Sequence, residues 1–106
     1  MEMLSGGFYK GTIHRVVQPP ADQRGYERLG VFYFALADDD VKLVPCAESP
    51  VLQRVGIKRR VADEDAPNQE QMRKARTAAY GTSTLKKRED GHEEEVLAGI
   101  TVKHFN

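Results

Sequence analysis

The chain has 106 residues, enough for one small domain and one modest core. Its 16 basic and 16 acidic residues cancel, which argues against a nucleic-acid binder driven by phosphate contacts. A single cysteine, Cys46, leaves no internal disulfide and no cysteine zinc site, and it suits a reducing, cytoplasmic setting. No apolar run approaches a membrane span, and the opening MEMLSGG lacks the basic start and apolar core of a secretory signal.

In chain order, residues 1–4 form the end of a short element stopped by Ser5, Gly6 and Gly7. Residues 8–17 are rich in β-branched and aromatic side chains, and residues 29–37 are more apolar still, with Val31, Phe32, Tyr33 and Phe34 in succession. Short apolar runs bounded by Gly and Pro read as buried strands. The turn formers Pro19, Pro20, Asp22 and Gly25 make the connection between them a loop. Side chains alternate faces along a strand, so His14 and Val16 share one face, and Arg28, Gly30, Phe32 and Phe34 share another. If both strands lie in one sheet, His14 and Arg28 look into one cavity. A guanidinium there would seek an anion, since its planar fork matches a carboxylate in two parallel hydrogen bonds.

Asp38, Asp39 and Asp40 read as a solvated turn, without the spacing of a calcium loop. Residues 41–44 are a short strand ended by Pro45. Ser49 then caps a short helix with Pro50 at its first position and Gly56 at its stop. Residues 57–65 are connection. The spacing predicts the longest helix over 68–80: Asn68 and Gln71 form a capping box, and Met72, Ala75 and Ala79 make a narrow apolar stripe that packs. Residues 82–95 are charged and expected as a mobile loop, and His92-Glu93-Glu94 within it as solvated surface. Alternation over 100–105 predicts a closing strand.

The stretch SGGFYKGTIHRVV resembles the segment around the last iron ligand of the isopenicillin N synthase-like, 2-oxoglutarate- and Fe(II)-dependent dioxygenases. That family carries a small-residue turn, an aromatic and a His-Arg-Val strand, here Ser5-Gly6-Gly7, Phe8-Tyr9 and His14-Arg15-Val16. Its Arg-x-Ser motif on the next strand falls at Arg28-Leu29-Gly30, with Gly30 in place of the serine, and the loop at 18–27 is longer than is usual there. The resemblance implies His14 as an iron ligand, and Arg28 and Gly30 at the site that holds the distal carboxylate of 2-oxoglutarate, or a carboxylate of the substrate itself. It assigns no catalytic acid, base or nucleophile. The family's upstream His-x-Asp motif is absent before His14. Non-haem iron oxygenases need two histidines and one carboxylate on one face of the metal, so one imidazole leaves the site incomplete.

The fold expected on these grounds is mainly β with helical additions (α+β), the C-terminal part of a double-stranded β-helix, a jelly roll left as an incomplete barrel. Residues 1–50 would supply barrel strands with the metal and oxo-acid motifs, and residues 51–106 a helical extension, a charged loop and a closing strand. By resemblance the function is oxidation of a small organic substrate with Fe(II) and 2-oxoglutarate, in which this chain alone is inactive. The alternative is a non-catalytic, truncated or remnant domain with a structural or interaction role. Its partners would be a missing N-terminal half, or further copies joined through an exposed sheet edge.

Overall fold

The computed structural model describes every residue except Ile13, Ser83, Thr84, Phe105 and Asn106, and only the backbone of His104. It is a small mixed α+β fold. Two helices, α1 (Pro50–Val55) and α2 (Gln69–Ala79), precede three strands, β1 (Lys86–Lys87), β2 (Glu93–Leu97) and β3 (Ile100–His104). The strands form an open antiparallel sheet in chain order, and α2 packs against β2. The core is correspondingly small: Leu43, Leu52, Ala66, Leu97 and Ile100, of which only Ile100 is almost wholly enclosed, at 1% exposure.

Both helices start where their sequences dictate. The Ser49 hydroxyl accepts from the Leu52 amide at 3.5 Å, Pro50 occupies the first turn, and Gly56 (φ 88°) ends α1. At α2 the capping box is complete: the Gln71 amide donates to Asn68 Oδ1 at 2.8 Å, and the Asn68 amide donates to Gln71 Oε1 at 2.9 Å. Two further amides of that first turn are satisfied from a distant part of the chain. Gln69 N–H donates to Val41 O at 2.9 Å and Glu70 N–H to Asp39 O at 3.0 Å. Met72, Ala75 and Ala79 are half-buried while Arg73 and Lys74 are exposed, as the stripe requires.

Residues 1–8 are tied to this frame. Leu4 O accepts from Cys46 N–H at 2.8 Å and Gly6 O from Lys58 N–H at 2.9 Å. Glu2 receives Arg60 in an ion pair. Gly6 sits at φ 56°, and a Cβ there would lie 2.8 Å from Ile57 Cγ2, so both the backbone and the packing demand glycine.

The sequence and the structure part at three places. Residues 8–17 and 29–37, expected as paired strands, form no strand; Ile13 of the first run lies outside the described residues. The sheet is built from residues 86–104 and offers only the edges of a two-residue and a five-residue strand. A nine-residue run has nothing there to pair with along its length, and strand propensity without a partner does not make a strand. Second, residues 41–44 are not a strand but a single bridge, Lys42 to Asn68. Third, the charged stretch 82–95 is not a loop throughout, since it contains β1 and most of β2; its Ser83 and Thr84 lie outside the described residues. Phe105 of the expected closing strand also lies outside them.

The charged hairpin has a plain cause. Lys86 stands opposite Glu94, Lys87 opposite Glu93, and Lys103 opposite Glu94 from the other side. Opposite charges across antiparallel strands attract, so the alternation of blocks KK and EEE specifies pairing. The second turn, Ala98-Gly99, has φ values of 49° and 78°, the left-handed pair of a two-residue hairpin.

Against this frame, the described residues of 9–37, which leave out Ile13, form a largely exposed arm. Leu29, Val31 and Tyr33 are 90–92% exposed, and Phe32 is 74% exposed. The radius of gyration, 16.7 Å, exceeds the ~13 Å of a compact chain of this length.

Candidate functional site

The structure places the sequence-predicted site residues on that arm. His14 is exposed; its Nδ1 lies 3.0 Å from the Thr12 carbonyl oxygen, and its ring stacks on Phe34 with centroids 6.3 Å apart. Arg28 lines a shallow concavity with Gln18, Pro19, Arg24 and Tyr26, and His14 is not part of its wall. Arg24 shapes that concavity by donating from Nε to Pro19 O at 3.2 Å. At Gly30 an added Cβ would lie 2.9 Å from Phe32 Cε2, so the Phe32 ring fills the space that a serine side chain would need.

Fe(II) does not fit what surrounds His14. One imidazole nitrogen is turned to a backbone carbonyl. Among the described residues no group of three His, Cys, Asp or Glu side chains could hold a metal ion. A facial triad needs three protein donors at one point, so no chemical step is assigned to iron here.

A polar constellation with tight geometry lies elsewhere, on the β1–β2 hairpin, in a stretch whose sequence reads as solvated surface. Arg88 Nε donates to Glu94 Oε2 at 2.6 Å, and His92 Nε2 lies 3.1 Å from Glu94 Oε1. His92 Nδ1 lies 2.5 Å from Asp90 Oδ1. The side chains of His92 and Glu94 each keep only 11% of their exposure. Both oxygens of Glu94 are therefore engaged. The hydrogen bond from Arg88 first, and that from His92 second, hold its carboxyl below the ordinary 4.5, against the opposing effect of burial.

The turn between the strands explains how these groups meet. Arg88 N–H donates to His92 O at 2.9 Å and Gly91 N–H to Arg88 O at 3.0 Å, with Gly91 at φ 87°. Residues 90, 92 and 94 then project to one side with Arg88 reaching across. The concavity beside them is lined by Lys87, Arg88, Glu89, Asp90, His92, Glu94 and Lys103. Among the described residues lining it none carries a hydroxyl or thiol, and the ion pairs of Arg88, Asp90, His92 and Glu94 form a charged clasp that closes the hairpin. Its signal was in the sequence: Asp90-x-His92-x-Glu94 alternates at strand period, and Gly91 marks the turn.

No protein-family model, no curated protein and no solved structure matches this chain.

Proposed function

We propose that this chain is a non-catalytic interaction domain, in which a tied α+β frame presents residues 29–37 for strand pairing with a partner. One observation carries the reading. In a run of nine residues with the composition of a strand buried on both faces, residues 29–36 lie exposed and Ala37 half-buried, with no strand partner among the described residues. Apolar exposure of this extent marks an interaction surface. An extended segment with free backbone groups is also the ordinary substrate of strand addition, where main-chain hydrogen bonds give affinity and alternating side chains give specificity.

Amide exchange on the chain at a concentration where sedimentation shows a monomer tests this. The expected result is slow exchange in α2 and β2 and fast exchange across 29–37. Protection of 29–37 in the monomer would mean that the arm folds within its own chain, and the interaction reading would fall.

A second reading is favoured by the motifs His14-Arg15-Val16 and Arg28-x-Gly30. In it the partner is the rest of a jelly roll that supplies the His-x-Asp ligands, and the joined protein oxidises a small substrate with Fe(II) and 2-oxoglutarate. The chain alone, given both, should form no succinate. Joined to such a half it should form succinate, and His14→Ala should abolish it; equal turnover with and without His14 would remove this reading.

A further inference from the structure

We propose that the partner of residues 29–37 is the same segment of a second copy of this chain, paired antiparallel about a two-fold axis through Tyr33. This rests on the interaction reading above and adds the identity and register of the partner.

The charges at the two ends of the segment set the direction. Arg28 stands immediately before it and Asp38 immediately after it. Pairing about Tyr33 sets residue 28 of one copy opposite residue 38 of the other, and the symmetry makes that contact twice. Both side chains are available for it, since among the described residues neither makes an ion pair or a side-chain hydrogen bond. Asp39, by contrast, is already taken, receiving Arg73 Nη2 at 2.9 Å. Parallel pairing in register would set Arg28 beside Arg28 and the three aspartates beside themselves, and like charges directly opposite destabilise a pair of strands.

The side chains between those ends agree with the same register. Phe32 falls opposite Phe34 twice, on the face shared with Gly30 and Leu36, and aromatic cross-strand pairs are among the favourable ones. Gly30 falls opposite Leu36, so the residue without a side chain meets a large one. On the other face Tyr33 meets Tyr33, Val31 meets Ala35 and Leu29 meets Ala37, again large against small. The His14 ring already lies against Phe34, so residues near 14 are positioned to cover part of the first face. A two-fold contact uses one patch twice and closes on itself, which ends growth at a dimer. Among the described residues of its own chain the segment has no strand edge of matching length, since β1 has two residues and β3 five.

The test is sedimentation velocity over a concentration series, with amide exchange at both ends of the series, on the wild type, Arg28→Glu, Asp38→Lys and the double variant Arg28→Glu/Asp38→Lys. The three variants carry changes at exposed positions, and the circular dichroism of α2 checks that the frame is intact. The wild type should dimerise with rising concentration and gain protection across 29–37. Each single variant should weaken the dimer about tenfold or more, because two attractive contacts become repulsive, and the double variant should recover most of the loss. A wild type that stays monomeric up to ~1 mM, with 29–37 unprotected, would overturn the second copy as partner and leave the interaction reading standing. A dimer that ignores both single changes would overturn this register. Protection of 29–37 in a monomer would overturn both proposals together.

Discussion

Gln69–Ala79 and residues 29–37 put apolar content to opposite use. The helix has one large apolar side chain, Met72, and yet it is fixed in place. The arm has Leu29, Val31, Phe32, Tyr33, Phe34 and Leu36, and all of them are exposed. The difference lies in what each can reach. The helix is anchored by its capping box, by two amides given to Val41 and Asp39, and by Arg73 held against Asp39 through two hydrogen bonds of 3.3 and 2.9 Å. The arm has strand propensity but no edge long enough to receive it. Hydrophobicity drives burial only where a complementary surface exists, and among the described residues no strand of matching length lies along the arm.

The largest test of that contrast compares substitutions in the core with substitutions on the arm. Ile100 is 1% exposed. Ile100→Ala should cost about 2–5 kcal/mol, which in so small a core is a large part of the whole stability. Val31 is far bulkier than its contacts justify, at 90% exposure. Val31→Ala should move the stability of the monomer by less than about 0.5 kcal/mol. Urea midpoints of both variants at one low protein concentration check the pair. A Val31→Ala cost comparable with that of Ile100→Ala would show that the arm is part of the core.

A smaller effect separates the cap from the helix it starts. Asn68→Ala removes one hydrogen bond of the capping box and leaves the Gln71 side chain without a fixed target. The expected cost is about 1 kcal/mol. It should appear as faster amide exchange in the first turn of α2, with the hairpin unaffected. Uniform acceleration across the frame would mean that α2 and the sheet open as one unit.

At Ala98 the change should stabilise. It occupies φ 49°, where a Cβ is crowded, in a turn that favours Asn-Gly. Ala98→Asn keeps the turn and suits that conformation better, for a gain of about 0.5–1 kcal/mol in the hairpin. Thermal denaturation of the full chain should shift upward, and an unchanged midpoint would mean that the hairpin does not limit stability.

The limits of reading this chain from its sequence follow the same line. Caps are local: Ser49 with Pro50, and Asn68 with Gln71, declared α1 and α2 because every group involved lies within four residues. β3 was visible as alternation from Ile100 onward. The hairpin that contains β1 is hidden because charged residues read as solvated surface, while the pairing of Lys86 and Lys87 with Glu94 and Glu93 is set by sign and register rather than by hydrophobicity. The arm departs from its pattern for the reverse reason. Its alternation correctly reported a segment suited to a sheet, but alternation carries no information about whether the same chain supplies the neighbouring strand. A shared cavity for His14 and Arg28 depends on both runs lying in one sheet, and without that sheet the structure puts one against Phe34 and the other in the concavity lined by Pro19 and Tyr26.

The smallest expected effect concerns the clasp on the hairpin, and its sign follows from Glu94. The carboxyl of Glu94 titrates below its ordinary 4.5 because Arg88, and after it His92, donate to the ionised form. A group with a lowered folded value binds its proton more weakly in the folded state than in the unfolded one. Its contribution is therefore complete above about 4.5 and is lost as pH falls through the lower folded value. Asp63, held below its ordinary 3.8 by Arg59, has the same sign at a site on the other side of α2 in the chain. The two are separated by comparing Glu94→Gln and Asp63→Asn with the wild type. Arg88 keeps 61% of its exposure, so solvent screens the clasp and the effect should be smaller than that of the cap. At neutral pH Glu94→Gln should have the lower urea midpoint. Its curve should converge on that of the wild type as the pH is lowered past the point where Glu94 takes up its proton, and added salt should narrow the gap at neutral pH. Asp63→Asn should converge in the same direction but without any change in the amide exchange of 88–94. A Glu94→Gln deficit that stays constant down to the lowest pH would assign the role of Glu94 to packing within the hairpin, and the clasp would then close the turn without depending on its charge.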